Sequence, residues 1–570
     1  MPRFRLLPLL ALSLAAQSPE ARLGKDLAFL TSESLKGRGN GTPELLRAAE
    51  FVTRRHRALG LRPTLTTFPF PAAVEVLEAQ AAFGSEAWTL GRDVQPLGLS
   101  GNGTLEGRAL TFLGYGVKVG AYDEFKGLDL HDRVAVLRRR VPDLPAFAHL
   151  SPAERGLTYR LRRVQEAGAA AILVLEEEEA PRPTRLEETS APLAIPVLSV
   201  RRGLLEAAFG LQARDRAMAD TGQPQVMDAA DLPHLTLKVV LRRREGAVPT
   251  VGSLARGRDR RLADQVIVLG AHLDHLGLGE RHSLGGAAAF GQVHPGADDN
   301  ASGSALLLEL LRRFSLKPAK RPVLALHFGG EEEGLLGSQH WLKHPTVPLE
   351  RLRFMVNFDM VGRLQPARPA LSLGGLGAPK SAVDRAAALA PAGWTVGREL
   401  GASVGGSDHM SFAQAKIPTF FFFTGLHDAY HRPTDTADRI DPKGLALVAD
   451  YAEKVVRSLA DAPELPPFDP DTAKLPAQAR SPMRIAFGTI PDYSPCPEGF
   501  RISGVAKGGT AEALGLQAGD ILIEFGGRPL RDIQDFMGAL GAFSPGDAVV
   551  VKWLRGGRPM EGKAVLKGRD

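Results

Sequence analysis

The spacing of apolar positions changes character several times along the chain. Residues 19–70 carry apolar residues three and four apart, in DLAFLTSESLKGR and TPELLRAAEFVTRRHRALGL, and this period predicts two helices, the second stopped by Gly60 and Pro63. From about 75 to 245 the pattern shortens to alternating runs (GRALTFLGYGV, RVAVLRRR, AAAILVLEEEE, APLAIPVLSV) separated by turn residues. SPAERGLTYRLRRVQEAGA reads as one helix among them, so this stretch predicts a small strand-rich domain. The acidic run Glu176–Glu179 after one of these strands reads as a solvated loop.

From about 246 to 460, near-continuous apolar strands (DQVIVLGAH, RPVLALHF, RFMVNFD, IPTFFFFTG) alternate with helical segments. Strands without polar alternation suit a sheet covered on both faces, so the fold class is α/β. Residues 461–482, rich in proline and charge, read as a linker. The last block, about 483–568, has short strands, one helix and several glycine turns.

Length and charge narrow the classes. A chain of 570 residues, 44% hydrophobic and 24% charged, is globular and holds about three or four domains. A net charge of +6 is mild for this length, and the basic residues are scattered, so nucleic acid is not implied. Met1 to Arg5, then the apolar run Leu6–Ala16, fit a cleaved export signal at 1–16; no later apolar run is long enough for a membrane anchor. The expected location is periplasmic or extracellular. Cys496 is the single cysteine, so internal disulfides do not stabilise the chain.

The candidate chemistry lies just after the apolar strands. VIVLGAH ends at His272, two residues before Asp274. VLALHFGG runs into Glu331-Glu332-Glu333. FMVNFD ends at Asp359. TFFFFTG leads to His427, Tyr430 and His431. A further loop, HPGADDNASG, carries Asp298-Asp299 ahead of a leucine-rich helix. In an open α/β sheet the carboxyl ends of the strands converge on one crevice. The converging set of imidazoles and carboxylates, with no thiolate, suits one or two divalent metals, zinc most readily. Taken singly, such residues are more often surface or core polarity; their coincidence at strand ends is what points to a site. A glutamate facing a metal-activated water can serve as general base.

The motifs GAHLDH, GADDNASG, GGEEEGLLGS, NFDMVGR, GGSDHMSF and YHRPTDT, in this order, resemble metallopeptidase family 28, a group of zinc aminopeptidases, glutamate carboxypeptidases and glutaminyl cyclases. The resemblance implies a three-layer αβα zinc-exopeptidase core with a mostly parallel mixed sheet. It implies that His272, Asp299, Glu332, Asp359 and His431 hold two zinc ions, with cobalt or manganese as substitutes. Asp299 would bridge them, and Glu331 would be the general base. Asp274 would support His272, and Asp408 would be a supporting polar residue. Tyr430 would donate to the developing oxyanion, or else be a packed loop tyrosine. His275, His294, His409 and His427 are not expected as ligands. The Asp299–Asn300 bond is expected in the cis form.

YGVKVGAYDEFKGLDLHDRVAVLRRR, QEAGAAAILVL and IPVLSV resemble a protease-associated domain, which in such proteins can restrict the cleft entrance. EGFRISGVAKGGTAEALGLQAGDILIEFGGRPL resembles a bacterial protease-type PDZ domain with a β-barrel-like fold. Gly499-Phe500 would end its carboxylate-cradling loop, but Pro497 and Glu498 depart from the usual pattern. The expected organisation is signal 1–16, first part of the peptidase domain 19–95, inserted domain 96–240, catalytic domain 241–460, linker 461–482 and PDZ domain 483–568. The expected function is an exported zinc exopeptidase acting on peptides, an aminopeptidase first. The alternatives are a glutaminyl cyclase-like acyltransferase and a non-catalytic peptide-binding ectodomain, and the PDZ block adds a C-terminal peptide as partner.

Overall fold

Strands that are apolar at every position need cover on both faces, and the computed structural model shows where that cover comes from. It describes residues 17–567, apart from 143, 148, 151, 178–180, 182–183, 185–191, 202, 286, 402–403, 474–486, 492–495, 497, 506–508, 531–532, 541–542 and 544–545. The expected signal at 1–16, part of the acidic run and linker residues 474–482 lie outside the described residues, as does Pro497. The chain divides into two compact units, residues 71–245 and the remainder.

The larger unit holds a mixed sheet. Its strands are β1 (Thr64–Phe83), β2 (Leu235–Ala255), β3 (Val266–His272), β4 (Val323–Phe328), β5 (Leu352–Phe358), β6 (Ala370–Leu376), β7 (Thr395–Leu400) and β8 (Thr419–Phe423). They run in the order β7-β6-β8-β5-β3-β4-β2-β1. The centre, β8-β5-β3-β4, is parallel; β2 and β6 join it antiparallel. Alternate side chains of each central strand enter different cores. Ile267, Leu269 and Ala271 of β3 pack with Phe354 and Val356 of β5 on one side. Val266 and Val268 pack with Leu324, Leu326 and Trp341 on the other. The period of two is present in the packing but invisible in the sequence, because both faces are apolar.

Helices α1 (Pro19–Leu30), α2 (Pro43–Ala58), α3 (Gly303–Leu316) and α5 (Pro442–Ala460) supply the first core, while α4 (Leu336–Lys343) supplies the second. Ser18 and Thr42 cap α1 and α2 through their side chains, each followed by proline in the first turn. Residues 64–70, at the end of the stretch read as helical, are extended in β1, where Thr64, Thr66 and Pro69 suit a strand at the sheet edge. Residues 461–473, the start of the expected linker, are held against this unit. A Cβ on Gly377 would meet the Phe468 ring at 2.4 Å, and Gly377 O accepts from Asp469 N at 2.8 Å.

The smaller unit is itself α/β. Strands 227–229, 110–114, 134–138, 171–175, 197–200 and 94–96 follow one another in its sheet, parallel in the middle and antiparallel at both edges. The single helix expected at 151–169 is two, Pro152–Arg155 and Leu157–Glu166, because Gly156 takes an extended backbone between them (ψ 135°). In the C-terminal block, strands Thr489–Pro491, Phe500–Val505, Ile521–Phe525, Ala548–Arg555 and Arg558–Val565 form an antiparallel sheet in that order. Among the described residues this sheet does not close, so a barrel-like description is too strong.

One buried ion network ties α1 to α3. Glu309 accepts two hydrogen bonds from Arg22, both at 2.9 Å, and further ones from Arg312 and Arg313. Burial pushes its carboxyl up, but Arg312, Arg22 and Arg313 outweigh burial and hold it at about 2. A folded pKa below the unfolded value stabilises fully above pH ~4.5, and that contribution is lost as pH falls through about 2. Glu309→Gln is therefore expected to lose up to about 3 kcal/mol at pH 7. The gap to wild type should narrow steadily below pH ~4, as read by urea denaturation at several pH values.

Candidate metal centre

Because β3, β4, β5 and β8 are parallel, their carboxyl ends open on one edge. His272 closes β3, Asp359 follows β5, Glu331 and Glu332 follow β4 after a Gly-Gly turn, and the segment after β8 leads to His431. Between β3 and α3 the chain makes a tight turn. Gly296 sits at φ 57°, where an added Cβ would be 2.2 Å from the Asp299 carbonyl oxygen, so glycine is required there. The Asp299–Asn300 peptide is cis. Asn300 fixes this turn by donating to Phe358 O and accepting from Gly303 N, both at 2.9 Å.

The donors meet around Asp299. His272 Nε2 lies 3.1 Å from Asp299 Oδ1 and 3.3 Å from Asp359 Oδ1. On the other side, His431 Nε2 lies 3.2 Å from Asp299 Oδ2 and 3.0 Å from Glu332 Oε2. His272, Asp299 and Asp359 offer ligand atoms within 4.8 Å of one another. His275, Asp299 and Glu332 do the same, as do His272, Glu331 and Glu332. His272 Nε2 and His275 Nε2 are buried and make no hydrogen bond within the described residues. Imidazole nitrogens and carboxylates gathered around one shared aspartate fit a zinc-like ion.

Charge in this cluster is strongly redistributed. Burial pushes Asp299 up, but His272, His275 and His431 outweigh it and hold the carboxyl well below the usual range. Burial lowers His431, yet Glu332 and Asp299 raise it to about 11. Burial pushes Glu331 well above an ordinary glutamate, aided by Asp359, Glu332 and Asp408 and opposed by His272. Asp408 rises to about 7, chiefly through burial. Tyr430 stacks on His431, ring centroids 3.9 Å apart; burial and then Asp299 and Glu332 raise its hydroxyl well above 10.

Asp274 holds several parts together. Its carboxylate accepts from the Glu331 and Glu332 backbone N–H groups, both at 3.2 Å, and from Asn40 Nδ2 at 2.7 Å. Its carbonyl lies 3.2 Å from His272 Nδ1. Three supporting residues were not singled out from the sequence. His275 Nδ1 lies 2.7 Å from Glu332 Oε1; its signal was the second histidine of HLDH, set aside as a neighbour. Arg38 is buried and donates to carbonyls of Leu30, Leu273, Pro295 and Gly296, pinning the loops that carry His272 and Asp299. Its flanking glycines in LKGRGNG were the available signal. Asp435, inside YHRPTDT, accepts from the N–H groups of Asp298 and Asp299 at 3.0 and 3.1 Å.

Asp298 points away from the cluster, accepting from Gly362 N at 2.7 Å and meeting His427 Nε2 at 3.2 Å. His294 pairs with Ser283 Oγ at 2.7 Å, and His409 stacks on Phe421. In the C-terminal block, Gly499 approaches Leu522 O, which an added Cβ would meet at 2.5 Å, and the Phe500 ring is buried against Phe536. Strand Phe500–Val505 pairs with Ile521 and Leu522 through Phe500 and Arg501, and with Thr489–Pro491 through Ile502, Gly504 and Val505.

Residues 250–456 match peptidase family M28, and residues 501–555 match the PDZ domain. Over 436 residues, 75% of this chain and 82% of that protein, the chain is 24% identical to "Aminopeptidase YwaD" of Bacillus subtilis. It is 27% identical over 229 residues to a "Probable leucine aminopeptidase" of Trichophyton verrucosum; these are 38% of this chain and 59% of that protein. A 68-residue stretch, 12% of this chain and 16% of the other, is 44% identical to a "Probable zinc metalloprotease" of Pyrenophora tritici-repentis. Among solved structures, "Aminopeptidase from Aneurinibacillus sp. strain AM-1" shares the fold, with a TM-score of 0.51, 23% identity, and coverage of 79% of this chain and 96% of that one.

Carboxylates packed this closely repel one another unless a cation lies between them. Dialysis against a chelator is expected to lower the melting temperature, and added zinc to restore it in a concentration-dependent way. A melting temperature indifferent to both treatments would contradict a bound metal.

Proposed function

The chain carries a peptidase family M28 domain and a PDZ domain, and from that premise we propose that it is an exported, two-zinc aminopeptidase. The observation that carries this reading is the pair of donor groups sharing Asp299, with Glu331 beside them. The named aminopeptidases and zinc metalloproteases among its relatives support the reaction class and the metal. Export rests on the leader-like pattern of residues 1–16, and no helix among the described residues is long and apolar enough to cross a membrane.

In this reading His272, Asp299 and Asp359 would hold one ion, and Asp299, Glu332 and His431 the other; zinc bound there would supply Lewis acidity toward a water and the scissile carbonyl. Glu331 takes the proton at its carboxylate and delivers it to the departing amine. Asp274 keeps the His272 ring oriented and, through the backbone of Glu331 and Glu332, sets base and ligand at a fixed offset. Tyr430, which packs against His431, would donate to the oxygen that gains charge. A complete second donor group around Asp359 favours hydrolysis over a one-zinc cyclisation, and a base beside the donors has no use in a pure binding module.

The insert, read as a protease-associated domain, and the PDZ block are accessory in this scheme. A peptide recruited by the PDZ block would add as a strand at an exposed edge of its sheet.

Aminoacyl chromogenic substrates should be cleaved and their N-blocked counterparts spared. Glu331→Gln should cut kcat by roughly 10²–10⁴-fold with metal content unchanged by elemental analysis. Turnover near wild type would remove Glu331 from the mechanism. Asp299→Ala should lose both ions in the same analysis. A C-terminal peptide array probed with the intact Glu331→Gln protein checks the PDZ role, and failure to retain any sequence would exclude recruitment by this block.

A further inference from the structure

Three consecutive glutamates follow β4, and they part company at once. Glu331 and Glu332 turn into the donor cluster, their N–H groups on Asp274. Glu333 turns outward to Arg281, its Oε1 2.8 Å from an Arg281 Nη, with the two side chains only 9% and 16% exposed. The Arg281 guanidinium also lies 5.2 Å from the centre of the Phe70 ring. A pair this sheltered is coupled far more firmly than a surface ion pair, and breaking it leaves one charge uncompensated.

The residue after Arg281 touches the site. His282 stands in the left-handed region at φ 59°, and its carbonyl lies 3.0 Å from His431 Nδ1. Two residues on, Leu284 N donates to His431 O at 2.8 Å. His431 is left-handed too, at φ 54°. Such backbones cost about 1 kcal/mol or more for a non-glycine residue and persist when their surroundings hold them. An Nδ1–H on a carbonyl sets the tautomer and leaves Nε2, which faces Asp299 and Glu332, as the free donor. His272 needs no such loop: it ends a buried central strand and finds its Nδ1 partner two residues away in Asp274.

The geometry points to Glu333 as a positioning residue that sets the affinity of one metal subsite, the one containing His431, by anchoring Arg281 and the His282–Leu284 turn. This rests on the two-zinc reading above. The subsite on β3 is held by the sheet and is independent of Glu333.

The test is a zinc titration of chelator-stripped, full-length protein against a chromophoric competitor that resolves the two equivalents. Glu333→Gln, and separately Arg281→Met, are expected to weaken one equivalent by about 10–100-fold and leave the other at its wild-type affinity. The exchanged pair, Glu333→Arg with Arg281→Glu, should recover most of the loss. Melting of the metal-free forms checks folding, and either single variant suffices if the other does not fold. The inference is overturned if both equivalents keep their affinity in the folded variants, or if both weaken alike. Wild type that takes up a single equivalent would instead refute the two-zinc reading itself.

Discussion

The structure is organised around a concentration of negative charge at one edge of a sheet. Asp274, Asp298, Asp299, Asp359, Asp408 and Asp435 are buried there, with Glu331 and Glu332 beside them. Uncompensated, such a set would repel and protonate. Compensation comes in layers: backbone N–H groups on Asp274, Asp298 and Asp435, imidazoles on Asp299 and Glu332, and the buried guanidinium of Arg38. Burial lowers Arg38 to about 10 while Asp274, Asp299, Asp435 and Glu332 act to raise it. What remains is negative charge that a bound cation would offset, so a metal held there would be part of the electrostatic balance.

That constraint explains why the chain preceding the sheet is built into the site. The Lys36–Asn40 segment pairs with the strand-end loop through Gly39 and His275, and a Cβ on Gly37 would collide with the His294 and Gly277 carbonyls. Arg38 and Asn40 then reach two different loops from one short stretch. The glycines permit backbone contact, and the contact delivers one cation and one amide donor to the place where anions gather. Stability and function are thereby coupled: a change that loosens this segment also loosens the Asp299 turn.

The motif order and the apolar strands carried the α/β class, the parallel centre of the sheet and the five donors His272, Asp299, Glu332, Asp359 and His431 that the fold brings within reach of one another. They were legible because parallel strands deliver their ends to one edge whatever the intervening loops do. Less legible was the break at Gly156, where local backbone choice overrode a continuous helical period. The start of β1 was also passed over, although Thr64, Thr66, Thr67, Phe68 and Phe70 are strand formers, because it was grouped with the helical stretch before it. At the C-terminus, the ring of Phe500 lies in the core of the block.

From sequence alone, then, came which residue types follow which strands, and hence a nitrogen and oxygen donor set with glutamates beside it. Tertiary structure alone decided which partners identical neighbours meet, where the resemblance had implied different roles for Asp299, Glu331 and Glu332. Asp298 and Asp299 differ only in which way the turn points them, one to Gly362 and His427, the other into the donor cluster. Glu331, Glu332 and Glu333 differ in the same way. Adjacent residues of one type have the same propensities and the same charge, so only the path of the backbone could decide which partners each one meets.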